Sequence, residues 1–290
     1  MKTLLELKNV NLTYQTLKFE TTAIKDTSFS ISDGEFVSIV GPSGCGKTTI
    51  LSMIAGILKP TSGTILIEGE PVTKVSTNVG YMFQRDNLFE WLSVYQNVMI
   101  GPKINHNKNC LQTEKLNELI SKYGLSGFEK SRPNELSGGM RQRVSLIRTL
   151  ALNPKILLLD EPFSALDYQT RLSVQNDIYK IIKSEKKTAI LITHDISEAI
   201  SMSDKIIILT RRPGTVKHIM NIDFDKNLSP LERRNSPLFN DYFKNLWEEL
   251  QWKNFLKSIS KKPKCQHHIE NLSEKNTQKH FLYTFLEFCF

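Results

Sequence analysis

Apolar positions in this chain recur with two periods. Alternating or β-branched runs at Leu4–Tyr14, Thr27–Ile31, Phe36–Val40 and Thr64–Glu68 predict short strands in the first third. Between the last two, Ile50, Leu51, Ile54, Ile57 and Leu58 share one face of a helix expected over Thr48–Leu58. A strand is expected at Val79–Gln84, followed by a largely helical stretch over about 90–152. Strand and helix then alternate through Ile156–Asp160, Tyr168–Ser184, Thr188–Thr193, Ile196–Ser201 and Lys205–Thr210. Such alternation predicts an α/β fold around a parallel sheet, with ligands at the carboxyl ends of its strands. Beyond Pro213 the pattern weakens. A helix is expected from about Pro237, with Leu238, Tyr242, Phe243, Leu246, Trp247 and Leu250 on one face.

Composition narrows the class. No apolar run reaches the roughly 18–20 residues of a membrane span, and Met1–Asn11 has no long apolar block of the kind a signal peptide carries. A cytoplasmic protein is expected, with any membrane role coming through partners. The net charge is +8, and residues 253–290 hold seven lysines against three glutamates. That segment is expected to be a basic, loosely ordered tail, and the rest of the chain is too weakly charged to point to nucleic acid. Cys45, Cys110, Cys265 and Cys289 lack paired spacing, which favours reduced thiols. Cys265, His267 and His268 have no companion ligand motif, so no metal site is expected there.

The chemistry is concentrated in three motifs. Gly41, Pro42, Ser43, Gly44, Cys45, Gly46, Lys47 and Thr48 match G-x-x-x-x-G-K-[ST] between a predicted strand and a predicted helix, and Thr49 completes the phosphate-binding loop. Glycines there let backbone N–H groups converge on phosphates, and the helix N-terminus adds partial positive charge. Lys47 supplies a charge to the β- and γ-phosphates, and Thr48 a hydroxyl to Mg²⁺. Cys45, beside a cation and a helix start, is expected to be a low-pKa thiol that ATP shields from alkylation.

At the end of the apolar run Ile156–Leu159 stand Asp160 and Glu161. Asp160 is placed to hold Mg²⁺, and Glu161 to orient an attacking water. Upstream, Ser137, Gly138 and Gly139 open a helix expected over Met140–Leu152 and form a second cluster of phosphate-binding amides. One nucleotide does not need two such cradles, so this one is assigned to the nucleotide of a second copy. Gln84 ends one predicted strand and His194 follows another, where Gln84 can reach Mg²⁺ and the water, and His194 the γ-phosphate. Asp167 follows the acidic pair on a short loop and can cross a dimer seam. Tyr14 offers a ring for adenine stacking.

With these residues in order, the chain resembles an ABC-transporter nucleotide-binding subunit from about Leu4 to Thr215. Phe83, Gln84, Leu88, Phe89, Glu90 and Trp91, with Met140 after the Ser-Gly-Gly, are similar to the nitrate, sulfonate and taurine importer group. Importers of thiamine precursors or riboflavin look nearly the same. The resemblance implies a RecA-like P-loop core with an antiparallel β-subdomain. It also implies an ATPase domain over 1–222, with a helical subdomain at about 88–152. A helical extension over 223–252 and the tail complete the chain.

It further implies a head-to-tail homodimer enclosing two ATP molecules, each between one P-loop and the other copy's Ser-Gly-Gly. Closure by ATP and reopening by hydrolysis would drive membrane permease chains served by an extracytoplasmic substrate-binding protein. Glu90 and Trp91 would then lie in the groove that grips the permease at the cytoplasmic face of the membrane. Met140 replaces the commonest residue, Gln, at its position. Two rivals remain in other classes: a soluble ABC ATPase without transport, and a P-loop kinase, which has no use for Ser137.

Overall fold

The computed structural model describes residues 2–15, 19–104 and 113–250; Cys110 and the tail 253–290, with Cys265, His267, His268 and Cys289, lie outside them. The chain divides into two compact units, 1–244 and 245–290. Of the second unit only residues 245–250 are described.

Two sheets organise the first unit. β1 (Thr3–Gln15), β2 (Glu20–Ser32), β4 (Ser62–Ile67) and β5 (Glu70–Pro71) form an antiparallel sheet in the order β2-β1-β4-β5. The larger sheet runs β10-β9-β3-β8-β7-β6 and contains β3 (Phe36–Val40), β6 (Val79–Met82), β7 (Ile156–Asp160), β8 (Thr188–Ile192), β9 (Lys205–Leu209) and β10 (Val216–Asn221). Its first five strands in chain order are parallel, and β10 closes one edge antiparallel to β9. β5, β10 and the short α7 described below are elements the apolar periodicity does not announce. The first is only two residues long, and β10 has no buried residue, so neither has a continuous apolar signal.

Every residue of β3, β7 and β8 is buried, because the large sheet is covered on both faces. Alternation along β7 shows how. Ile156 and Leu158 enter a core shared with the antiparallel sheet and α1 (Lys47–Ile54). Leu157 and Leu159 enter the opposite core, built on α5 (Tyr168–Ser184). A third apolar cluster lies in a helical layer of α2 (Val94–Ile104), α3 (Thr113–Ile120) and α4 (Gly138–Leu150). There Val144, Ile147 and Ala151 are buried, with Met140 packed against them, as their helical spacing requires. A thioether in this position fills apolar space without needing a polar partner.

α1 is shorter than its periodicity predicts. It stops at Ile54, and Gly56 turns with φ 73° where a Cβ would collide with the backbone of Lys74, so Ile57 falls outside the helix and is exposed. α6 (Ile196–Met202) follows β8, and α7 (Pro230–Asn235) and α8 (Pro237–Glu249) close the described chain. α8 starts at the predicted proline, but its face begins one residue late: Leu238 is exposed and Phe239 buried, with its ring tilted against that of Phe243 one turn on.

Candidate functional site

β3 delivers the chain directly into the loop from Gly41 to Gly46, and α1 begins at Lys47. The tightness of that loop follows from two glycines. Gly44 sits at φ 71° and Gly46 at φ 103°, and a Cβ on Gly46 would strike Ile24 of β2. α1 has no side-chain N-cap and no acidic residue in its first turn, so its leading N–H groups and dipole face the loop uncompensated. Lys47 is only 8% exposed; its Nζ donates to the carbonyls of Gly41 (2.8 Å) and Pro42 (3.2 Å). Tyr14, half exposed on β1, places its hydroxyl 3.2 Å from Thr49 Oγ1 beside the same helix start.

The ends of three more parallel strands converge on this point. Thr48 Oγ1 donates to Asp160 Oδ1 (3.3 Å), and Tyr81 Oη donates to Asp160 Oδ2 (3.0 Å). Burial pushes the Asp160 carboxyl above the usual carboxylate range, and the two hydroxyl donors hold the shift back. Glu161 follows at φ 46°, an unusual backbone conformation for a residue with a side chain, and its Oε2 meets Gln84 Nε2 at 3.2 Å and His194 Nδ1 at 3.4 Å. Thus Gln84 after β6, Glu161 after β7 and His194 after β8 form one cluster at the strand ends.

The oxygens of Thr48 and Asp160 make a hard donor pair suited to Mg²⁺. Among the described residues no group of three or more His, Cys, Asp or Glu side chains forms a metal cage. A cation here would take its remaining ligands from substrate oxygens and water, as Mg²⁺ commonly does.

Ser137 N-caps α4, accepting from Met140 N at 3.3 Å, and Gly138 and Gly139 open that helix. A Cβ on Gly139 would press on Val174 of α5 at 2.9 Å, so this helix start lies close against the core layer. α4 also grips the segment after Gln84. Arg148 donates to the carbonyls of Asp86 and Asn87 (both 2.7 Å), Ser145 to Asp86 O (3.1 Å), and Arg141 pairs with Asp86 (3.1 Å). Asn97 fastens the far end of the segment through Phe89 N and O. Beyond it Trp91 is 69% exposed, so its ring is not part of the core. Asp167 caps α5 by accepting from Thr170 N at 3.1 Å.

One sequence expectation fails. Cys45 is 1% exposed, and burial raises its thiol pKa above the ordinary value, outweighing the opposing effect of the Lys47 charge. It is a packed loop residue, not an activated thiol.

Other residues at the site carry no motif signal that periodicity finds. Tyr81 orients Asp160 from the edge strand β6. Arg212 Nε donates to Gly44 O at 3.1 Å, and Gly214 lies so close to the Cys45 carbonyl that a Cβ would not fit. Gly214 also bridges to β2, its N–H on Ala23 O (2.8 Å) and its carbonyl taking Lys25 N (3.0 Å). The clue in the sequence is Arg212-Pro213-Gly214, a turn triplet immediately after a buried strand.

Residues 24–164 match the ABC transporter family. An uncharacterized ABC transporter ATP-binding protein of Bacillus subtilis (strain 168), YtlC, is 47% identical over 247 residues, covering 85% of this chain and 95% of that protein. The taurine import ATP-binding protein TauB of Pelagibacter ubique (strain HTCC1062) is 40% identical over 218 residues, 75% of this chain and 82% of the relative. Among solved structures, the dimeric ATP-binding cassette MJ0796 in a post-hydrolysis state with ADP and Pi superposes with TM-score 0.65 at 33% identity, over 77% of this chain and 100% of that one. Sequence, fold and strand-end cluster agree: this chain belongs to the ABC transporter family as one of its ATP-hydrolysing, ATP-binding proteins.

Proposed function

We propose that the chain energises an importer for a small solute of the nitrate, sulfonate or taurine type, as one of a pair of ATPase subunits bound to membrane permease chains. The observation that carries the catalytic part is the convergence of Lys47, Thr48, Gln84, Asp160, Glu161 and His194 at the ends of β3, β6, β7 and β8. In this reading the amides of Gly41–Thr49 and the α1 dipole bind the β- and γ-phosphates, with Lys47 as the counter-charge. Tyr14 stacks on adenine. Thr48, Gln84 and Asp160 would hold Mg²⁺, whose charge would offset that of the phosphoryl oxygens. Glu161 takes the proton of the attacking water, Gln84 helps to place that water, and His194 donates to the γ-phosphate.

The dimer is supported by the second cradle at Ser137, Gly138 and Gly139, and by the dimeric form of the related cassette. Asp167 then lies at the seam. The permease partner is supported by exposed Trp91 on a segment that α4 grips, because motion at the Ser-Gly-Gly end is thereby transmitted to the surface after Gln84. The division into an ATPase domain over 1–222, a helical subdomain at about 88–152 and an extension over 223–252 belongs to the same reading. None of the described helices is long and apolar enough to cross a membrane. In this reading the chain attaches to the cytoplasmic face through the permease. An extracytoplasmic binding protein completes the system.

The solute class is supported by relatives named for import of taurine, nitrate and aliphatic sulfonates. Import of a thiamine precursor or riboflavin is the alternative solute. A soluble ABC ATPase without transport is the alternative function. A deletion strain assayed for growth on taurine, alkanesulfonate or nitrate as sole source separates the solutes. Co-purification with a permease separates the transporter from the soluble ATPase. Ser137→Glu tests the dimer: hydrolysis and ATP-dependent dimer mass should both vanish in a folded protein, and full retention of either overturns the shared-cage reading.

A further inference from the structure

A continuous hydrogen-bonded line crosses the buried layer between α7 and His194. Arg234 Nη2 donates to Gln175 Oε1 on α5 (2.9 Å), and Gln175 Nε2 donates to Glu198 Oε1 on α6 (2.7 Å). Thr193 Oγ1 donates to the other oxygen, Glu198 Oε2 (2.6 Å), and accepts from Asp195 N (3.0 Å). Gln175, Glu198 and Thr193 are 1%, 4% and 2% exposed, so no water competes strongly for these bonds. Thr193 and Asp195 are the residues on either side of His194.

This line decides where the histidine points. The His194 side chain is exposed and its polar contact among the described residues is with Glu161, at 3.4 Å. With so few side-chain contacts, the direction in which the ring leaves the chain is set by its backbone. That backbone turn is closed by the Thr193 hydroxyl, which must donate to Glu198 to be oriented for accepting from Asp195 N. Glu198 in turn is held at its second oxygen by Gln175, and Gln175 by Arg234.

The far end of the line is anchored as well. α7 is a single short helix with a capping box between Ser229 and Glu232. Its Arg233, 2% exposed, donates to Tyr179 Oη (2.7 Å) and to the carbonyls of Ser201 and Ser203 (3.4 Å each), so the helix is pinned to α5 and to the end of α6. Arg234 then has little freedom except to meet Gln175.

We propose that α7 is a strap that positions His194 for catalysis, with Arg234 acting through Gln175, Glu198 and Thr193. The proposal rests on the reading of His194 as a γ-phosphate contact. It assigns a catalytic consequence to a segment beyond the strands that form the nucleotide site. Arg234 and Gln175 are positioning residues, since neither approaches the strand-end cluster.

The test is steady-state ATP hydrolysis by the full chain carrying Arg234→Ala, Arg234→Lys or Gln175→Met, alone and combined with His194→Ala, with melting temperature recorded for each. A positioning role predicts that Arg234→Ala and Gln175→Met each lower kcat about tenfold while KM for ATP moves less than about twofold. Arg234→Lys should restore part of the rate. On the His194→Ala background both substitutions should add nothing further, because they act through the residue already removed. Either of two results overturns the proposal: unchanged kcat in a folded Arg234→Ala or Gln175→Met protein, or a loss that multiplies with that of His194→Ala. If His194→Ala itself turns over at the native rate, the reading of the site falls and the strap with it. An active Arg234→Ala beside an inactive His194→Ala sinks the strap alone.

Discussion

Gln84 Nε2 donates to Glu161 Oε2 at 3.2 Å, joining the strand that leads into the α4-gripped segment to the strand that carries the acidic pair. The carboxylate is presented by a backbone at φ 46°, so its direction is imposed by the turn after β7 and not by rotamer choice alone. A general base held this way loses its function when it loses its charge. Glu161→Gln keeps the volume and the contact with Gln84 through its amide oxygen, and cannot accept a proton from water. The expected result is ATP affinity within a few-fold of native and turnover reduced by about 10²–10⁴-fold. Equilibrium nucleotide binding and phosphate release measured side by side check it; a fully active variant removes Glu161 from the role.

Lys47 makes the opposite prediction. Its ammonium lies over the loop carbonyls of Gly41 and Pro42, so it meets the phosphates before any chemistry occurs. Lys47→Ala should weaken ATP binding itself by about 10–100-fold, the value of one to two charge-assisted contacts in a partly desolvated site. Calorimetric titration with ATP gives the number directly. Lys47→Arg should not rescue, because a planar fork cannot occupy the space of a compact ammonium between two carbonyls.

How legible the molecule was depends on the kind of signal. β3, β7 and α5 have the predicted bounds, because a fully buried strand is a continuous apolar run and α5 follows a capping Asp167. β10 and β5 carry neither signal. α1 ends before its apolar spacing does, because Ile57 and Leu58 keep the helical spacing after Gly56 has already turned the chain; spacing reports which residues are apolar, not where the backbone leaves the helix. At the site, residues whose role needs a fixed motif, from Gly41 to Thr49 and Asp160 to Glu161, could be found in the sequence. Tyr81, Arg212 and Glu198 act by meeting a partner far away in the chain, and no local pattern encodes that meeting.

Cys45 illustrates the same difference in one side chain. Adjacent Lys47 and the start of α1 argue for a reactive thiolate, but burial reverses the balance and raises the thiol pKa. At neutral pH the thiolate fraction is therefore lower than that of an ordinary cysteine, and the sulfur is also shielded. Modification of the Cys45 peptide by iodoacetamide, followed by mass spectrometry, should be slower than that of a free cysteine at pH 7.5. The rate should still be rising with pH above about 10, where the ionisation of an unperturbed thiol, with its pKa near 8.5, is almost complete. Rapid labelling that saturates below pH 8 contradicts the buried placement.

Glu198 gives the protein a pH dependence of defined sign. Burial, reinforced by the charge of Asp195, raises its carboxyl to about 7, against the lowering effect of the Thr193 hydroxyl and of Arg171 and Arg234. A carboxyl whose folded pKa exceeds its unfolded value keeps its proton longer in the native state. Its contribution is therefore most favourable below the unfolded value near 4.5, and is lost as pH rises towards about 7. Glu198→Gln mimics the protonated form. Its melting temperature should fall less than that of the native protein between pH 5 and pH 8, both ends of that window lying around the titration just described. Parallel pH profiles for the two proteins contradict it.

The last expectation concerns the brace under the P-loop. Arg212 Nε donates to the carbonyl of Gly44, a left-handed residue of the loop, and so braces the Gly44–Cys45 peptide, whose own N–H donates to the Pro42 carbonyl (3.2 Å) and closes the turn. Arg211 lies in the same cleft with Pro42, Ser43 and Gly44 and carries an equal charge. The two therefore separate a specific bond from a general field. Arg212→Ala should lose about 1 kcal/mol of ATP binding, roughly fivefold in affinity, the usual worth of a solvent-exposed hydrogen bond to a charged donor. Most of that loss should persist at 0.5 M salt, because the bond acts through loop geometry. Arg211→Ala removes only long-range attraction, and its smaller effect should disappear at the same salt concentration, where the Debye length falls to about 4 Å. ATP affinities of the two variants at low and high salt decide the matter: equal losses that both vanish with salt would mean that the arginines supply charge and that the Gly44 contact positions nothing.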